Sequence, residues 1–485
     1  MSKSRKIRMN FPRIISLGAL LFYSSFCDAA EFEIAMSDGG GFTWRSSDSW
    51  YINKGESNLN YPSKNDDVKI VPQYKTSNFY LSLQLPTGSK EKSIEINSFE
   101  ALMGSSMDLS GTPGVERFIV RKDFVKTAES ESVDGVLRAR YDGNLAIGPN
   151  KMDSFLHVQI GGDVILKDDA ANRTAIMGLG GNDVYGTFKT PRLLASLSIA
   201  GNVYLSNHML FVGTENGVNA NIAGLVHFKP PVSGRQAILI LNGDNGDEAW
   251  QQLQTVKIGG LKSMEQGAGL VTTRTASQRF PTEEQLKRLP RDFKSDNVVR
   301  HGNLEIVGRG GIFTGEIRDN MRKEDTRGKV NITMNSAEGR QYLLGNNVYT
   351  GSTYILKGYL AINSTEPLRK VFLRGGTLSV RGDTPAILDL DWSGGAFEFD
   401  FEKSPALSLI GEIATSFDFE KSECFKFHNI VPRRSYTLFE SKKPTEAFKY
   451  FEGKTLRVTD YATNKIYDAV FGAGDSSLTV MFISK

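Results

Sequence analysis

A chain of 485 residues has room for two to four ordinary domains or for one long solenoid. Its 58 Lys and Arg barely outnumber 55 Asp and Glu, and Lys3, Arg5, Lys6, Arg8 and Arg13 crowd the N-terminus, so the remainder is close to neutral. Nucleic-acid binding, which needs a concentrated basic face, gets no support. The 48 glycines, set among many Val, Ile, Leu, Phe and Thr, favour short strands joined by tight turns.

Residues 1–30 have the pattern of a signal peptide. The basic start is followed by an apolar run from Ile14 to Phe26, too short for a membrane span, and then by Cys27 and Ala29 at the −3 and −1 positions of a cleavage site after Ala29, with a cut after Ala30 as the alternative. Phe26 stands where a lipoprotein signal wants a small residue, so Cys27 is not expected to be lipidated. The expected destination is extracellular, the cell surface or the periplasm. Once the signal is removed Cys424 is the only cysteine, which rules out an internal disulfide. No later stretch has the run of about 18 apolar residues that a transmembrane helix needs.

A recurring pattern begins within residues 111–275. Apolar alternation, a central glycine and a second alternation appear in ARYDGNLAI (Ala139 to Ile147), VQIGGDVIL (Val158 to Leu166), LSIAGNVYL (Leu197 to Leu205) and ANIAGLVHF (Ala220 to Phe228), with a fainter VKIGGL at Val256 to Leu261. The glycines Gly143, Gly162, Gly201, Gly224 and Gly260 are spaced by 19, 39, 23 and 36 residues, which reads as one and two units of about 20 residues. Alternation gives each strand one buried and one exposed face, and stacked units share a core that none could form alone. The expected fold is all-β: a right-handed parallel β-helix or β-solenoid with terminal caps, the alternative being an array of β-sandwiches.

Several segments carry residue types suited to chemistry. Asp244, Asp247 and Glu248 gather oxygen ligands on a glycine-rich turn that would suit calcium, but the spacing is not that of an EF-hand and a solvated turn is the favoured reading. Gly180 to Tyr185 resembles one calcium-binding nonapeptide turn without the tandem copy such a site needs. No other cofactor is expected. Pro281 to Pro290 has the caps and charge order of a short surface helix, in a linker or insertion over residues 276–300. The histidines His157, His208, His227, His301 and His428 are scattered, Cys424 reads as a buried small hydrophobe, and Arg381-Gly382-Asp383 as a chance tripeptide on a turn. No catalytic constellation emerges.

From Leu304 to Asn363, within a region of residues 301–400, the sequence resembles the autotransporter-associated β-strand repeat. The motif is carried by Leu343 or Leu344, then Gly345, Asn347, Tyr349, Thr350, Gly351, Thr353, Ile355, Gly358 and Leu360. It is preceded by a strand of the form F-x-G-x-I-x-D, Phe313 to Asp319. Ser352 stands where a glycine is common and Tyr359 where a small residue is common. The resemblance implies a passenger-type β-solenoid. It also extends to a tryptophan-containing cap over residues 31–110, with Trp44, Trp50, Pro62 and the run Asn65 to Ile70, and to a C-terminal β cap over residues 401–485. No series of amphipathic membrane strands follows Asn363, so the likeness concerns the repeat and not the secretion barrel. The expected function is that of a secreted structural or adhesin-like surface-interaction protein without catalytic activity, its partner a glycan or another cell-surface component. The alternative is a carbohydrate-active β-helix enzyme, a polysaccharide lyase or glycoside hydrolase, which would show carboxylates grouped beside Lys or Arg.

Overall fold

A computed structural model describes residues 30–484 apart from 36–40, 46–50, 55–60, 72–78, 86–88, 104–106, 113, 129–131, 134–135, 138–144, 150–155, 169–174, 180–193, 215–219, 232–235, 242–253, 274–300, 321–327, 404–405 and 417–422. The chain winds into a parallel β-solenoid. Its register can be followed along one line of inward side chains: Val158 pairs with Leu197, then come Ala220, Val256, Leu304, Ile332, Thr353, Val371 and Leu390, each one rung further on. All of them are buried. Parallel pairing over this length excludes the sandwich array, whose sheets are antiparallel.

Each rung begins with a strand of a first face, such as His157–Ile160 or Ser196–Ile199, and turns a corner into a second face, Val164–Asp168 or Val203–Leu205. Glycine makes that corner possible. A Cβ on Gly201 would run into the carbonyl of Gly162, and one on Gly376 (φ +67°) into the carbonyl of Gly358, because successive backbones stack directly at this point. In the N-terminal rungs a side-chain ladder reinforces the corner. Asp123 accepts the N–H of Asp163 at 2.8 Å, Asp163 that of Asn202 at 2.6 Å, and Asn202 that of Leu225 at 2.9 Å.

The glycine intervals of 39, 23 and 36 residues that the sequence suggests as one and two units are each a single rung. Leu197 lies 39 residues after its partner Val158, Ala220 lies 23 after Leu197, and Val256 lies 36 after Ala220. Length is added in the loops between faces while the corner stays in place. The segment around Gly143 is not equivalent to the others. Its central residues fall outside the described set, and Leu145–Pro149 belongs to a third face, where it pairs with Met107–Gly111.

That third face runs from Gly41–Thr43 to Glu316–Asn320 and then stops, its last contact being a lone bridge between Ile317 and Asn347. Rungs beyond it, from Ser352–Asn363 to Ala396–Asp400, contribute to the first two faces only and shorten to 18 or 19 residues. The far end is closed by an antiparallel sheet. Ser435–Ser441 continues the first face beside Leu407–Leu409, Ser477–Ser484 and Ile466–Ala473 follow, and Asp460 bridges back to Phe427 on the second face. Aromatic rings fill this end: Phe397 lies 5.2 Å from Phe439, and Phe427 lies 5.0 Å from Phe482. At the near end Trp44 is buried and packs edge-on against Phe118 at 5.9 Å. Among the described residues no helix is long and apolar enough to cross a membrane.

Candidate functional site

The residues of the repeat motif are structural fastenings at the place where the third face ends. Asp319, buried, accepts the N–H of Val330 at 2.9 Å and the N–H of Thr350 at 3.0 Å, and also takes the Thr350 hydroxyl proton. The Asn347 amide donates to the carbonyls of Leu343, Gly345 and Asn363, at 2.9, 3.1 and 2.6 Å, and so ties its own turn to the next rung. Tyr349 and Thr353 share a buried hydroxyl–hydroxyl bond of 2.7 Å, and burial raises the Tyr349 phenol above its ordinary value. Gly345, Gly351 and Gly358 each lie where a Cβ would strike a carbonyl of the rung below. Of these residues only Gly358 borders the groove described next.

The concave feature lies on the neighbouring stretch of the second face, next to the terminal cap. Its geometry follows from alternation on five successive rungs. Inward go Gln341, Leu360, Leu378, Phe397 and Phe425, so the outward neighbours at one register position are Arg340, Tyr359, Thr377 and Ala396. The next outward position carries Tyr342, Ala361 and Ser379, and then Glu398 and Lys426. Four of these are small, and although they face outward Ala361, Ser379, Thr377 and Ala396 are only 0–4% exposed, because longer side chains rise around them. The result is a groove of ≈ 410 Å³ floored by Gly358, Gly376, Thr377 and Ala396.

Polar and aromatic groups form its walls. Glu398 is the hub: its carboxylate accepts the Tyr359 hydroxyl, lies 3.2 Å from His428 Nε2, and is 3.5 Å from the Arg381 guanidinium, which itself donates to the Tyr359 oxygen at 3.0 Å. Tyr461, from the cap, donates its hydroxyl to Glu423, while Lys426 sits 5.8 Å from the Tyr461 ring and Arg340 lies 5.7 Å from the Tyr359 ring. Burial, reinforced by Glu398, raises the Tyr359 phenol above its ordinary value. Burial and Glu423 push Tyr461 up to about 12. Both phenols therefore keep their protons at neutral pH, engaged by Glu398 and Glu423, and offer a ligand their oxygen lone pairs. The groove offers ring faces together with fixed donors and acceptors, the equipment for holding a hydroxyl-rich ligand.

Other residues singled out in the sequence lie elsewhere. His157 bonds Ser196 through Nδ1 at 2.7 Å, His227 stacks on Tyr204 at 4.6 Å between ring centres, and His301 starts a first-face strand. His208 is wholly buried, with Lys126 Nζ 2.8 Å from Nε2. Cys424 is buried and its thiol pushed up to about 12 by burial and by Glu423, which makes it unreactive. Arg381 does not present an Arg-Gly-Asp tripeptide, since it is engaged by Glu398 and Tyr359. The calcium candidates Asp244, Asp247 and Glu248, the Gly180 to Tyr185 turn, the Pro281 to Pro290 segment and residues 1–29 of the expected signal segment lie outside the described residues, whereas Ala30 is described and buried.

The sequence suggests no grouping of charged residues, yet the solenoid brings Glu338, Arg340, Glu398, Glu423, Lys426 and His428 to one groove. A signal for this exists in hindsight: AFEFD and CFKFH share Phe-x-Phe spacing, which turns Glu398 and Lys426 outward at matching positions. Their register could not be read without knowing the rung length between them. No family model, no curated protein and no solved structure matches the chain.

Proposed function

We propose that this is an exported, adhesin-like β-solenoid of the autotransporter-associated repeat type, whose groove beside the C-terminal cap binds a glycan of a cell surface or matrix. The observation that carries the reading is the groove itself: small residues on consecutive rungs, two protonated phenols and a Glu398 hub whose charge is balanced by Arg381 and which lies against His428. Such a lining matches a ligand rich in hydroxyls and apolar ring faces. The repeat-type reading is supported by the motif from Gly345 to Gly358, in which each singled-out residue fastens one rung to the next. Export is supported by the N-terminal signal pattern.

One observation favours a second reading, that of a carbohydrate-active β-helix enzyme: three carboxylates, Glu338, Glu398 and Glu423, line the groove beside Arg340 and Lys426. The engagement of Glu398 by three partners argues for holding over proton transfer. The decisive experiment applies the purified protein to an array of polysaccharides while monitoring released sugar. Specific retention without release supports the binding module. Reducing or unsaturated ends in solution would establish the enzyme instead, and no retention by any saccharide would remove both readings.

A further inference from the structure

The groove is the deep end of a longer feature. The outward position that carries Tyr342 can be followed back along the second face through the strand pairing. Ile165 pairs with Tyr204, Tyr204 with His227, and His227 with Lys262. Ile312, on the following rung, pairs with Tyr342. Tyr342 then reaches the groove, its ring centre 5.3 Å from that of Tyr359. This one ladder therefore carries an aliphatic side chain, the half-buried Tyr204 ring backed by a buried His227, a lysine stem, a second aliphatic side chain and a tyrosine on consecutive rungs.

Most alternating outward positions of a solenoid carry short polar or charged residues, because water is their neighbour. This row departs from that. Ile312 is 53% exposed, and no fold-level need places it outward. Tyr204 and His227 stack nearly parallel, 14° apart, which lines up their rings along the axis of the solenoid. The rungs are spaced at about 4.8 Å, comparable to the length of one sugar ring in an extended chain, so a polymer lying along the axis would meet one outward side chain per ring. Carboxylates are absent from the row until Glu398, whose charge is met by Arg381. The one other charge in the row is that of Lys262, which is exposed and keeps its ammonium in water, so an uncharged chain can lie along its stem.

We infer that the second face is a track for an extended, uncharged polysaccharide, which runs along the solenoid axis from the groove over Tyr342 and Ile312 to the Tyr204–His227 stack. The inference rests on the glycan-binding reading of the groove and adds direction, length and charge to the ligand. It differs from a pocket that grips only a chain end or a short branch.

The test uses the full exported chain and oligomers cut from whichever immobilised polysaccharide it retains, in two sizes: short ones that fill the groove alone and long ones that also reach Tyr204. The long oligomers bind tighter than the short ones. Tyr204→Ala weakens the long oligomers about tenfold, the loss of one stacked ring, and leaves the short ones unchanged. Ile312→Asp, at an exposed position that no packing depends on, gives the same selective loss and guards against a Tyr204 variant that fails to fold. Tyr359→Ala weakens both sizes. If long and short oligomers bind equally, or if neither Tyr204→Ala nor Ile312→Asp discriminates between them, the track is refuted while the groove reading stands. If only uronate polymers are retained, the uncharged ligand is refuted. If no saccharide is retained, groove and track fall together.

Discussion

The rungs before Asp319 and those after it solve the same packing problem with different means. Before it, the rungs have three faces and the corner is reinforced by side chains, Asp123, Asp163 and Asn202 reaching from one rung to the next. After it the third face is gone, the corner narrows to stacked glycines such as Gly358, Gly376 and Gly395, and phenylalanine collects in the last rungs, at Phe397, Phe399, Phe425 and Phe427. Both regions bury aromatic rings, but the earlier rungs also bury the Lys126 side chain against His208. Thinning the outward positions to Ala361, Thr377, Ser379 and Ala396 is what opens the groove. A solenoid thus gains a concavity by losing side-chain volume on one row, without any insertion.

Asp319 stands at the junction, and its removal is the strongest way to break the comparison. Asp319→Ala strands two backbone N–H groups and one hydroxyl in a buried place, a cost of about 3 kcal/mol. In a solenoid stability is set rung by rung, so the loss should be local. Hydrogen exchange will quicken over residues 329–363 while the strands before residue 270 keep their protection. Uniform loss of protection would mean that the two regions fold as one unit and the junction has no special weight.

At the closed end Asp460 plays the fastening role. Its carboxylate accepts the N–H groups of Asn429 at 3.1 Å, Ile430 at 3.3 Å and Ala462 at 2.9 Å, and the Thr463 hydroxyl at 2.8 Å. Burial pushes its carboxyl up, and these four bonds more than offset that and hold it below the ordinary value. Asp460→Ala should cost about 2 kcal/mol and expose the Phe427–Phe482 contact, read as slower-melting rungs beneath a cap that unfolds first. A single unchanged transition would remove the cap's separate role.

The buried pair in the earlier rungs gives that region its own pH dependence. The Ser206 carbonyl oxygen can only accept, so His208 donates to it from Nδ1 and accepts from Lys126 Nζ at Nε2. Burial lowers the His208 value well below 6.5, with Lys126 adding to it, and burial followed by Lys262 or Lys329 lowers His227 and His301. A base whose folded value lies below its unfolded one contributes stability that is fully present above the unfolded value and is lost as pH falls below about 6.5. His208 should therefore cost up to about 1.4 kcal/mol for each pH unit below that point. His208→Gln flattens the decline of the denaturation midpoint between pH 6.5 and 5. A decline as steep in the variant as in the parent would place the acid sensitivity elsewhere.

How much of this the sequence reveals differs between the two regions for a physical reason. The glycine corner and the alternation are local, so VQIGGDVIL and LSIAGNVYL announce strands of the first and second faces directly. Rung length is not local, because loops of different size return to the same register. A spacing of 39 residues therefore looked like two units and is one. The motif at Asn347 and Thr350 was legible as a pattern, but its partner Asp319 lies 31 residues upstream of Thr350 and its role appears only once rungs are stacked. The groove was illegible for the same reason: Arg340, Tyr359, Glu398 and Lys426 are neighbours only through register. Tyr359 is the one member whose departure from the repeat pattern was visible, a large ring where a small residue is usual.

That departure gives the smallest and most specific effect. Tyr359→Phe keeps the ring that lies beside Tyr342 and Arg340 and removes only the hydroxyl between Glu398 and Arg381. Glu398 retains His428 and Arg381, so the fold loses at most about 1 kcal/mol. A ligand hydrogen-bonded in the groove loses a neutral bond of similar size, about fivefold in affinity. Saccharide binding by Tyr359→Phe should thus weaken while its melting temperature barely moves, and Tyr359→Ala, which also deletes the ring, should weaken binding further. If both variants bind as the parent does, the groove is a by-product of small outward residues and the later rungs differ from the earlier ones in packing alone.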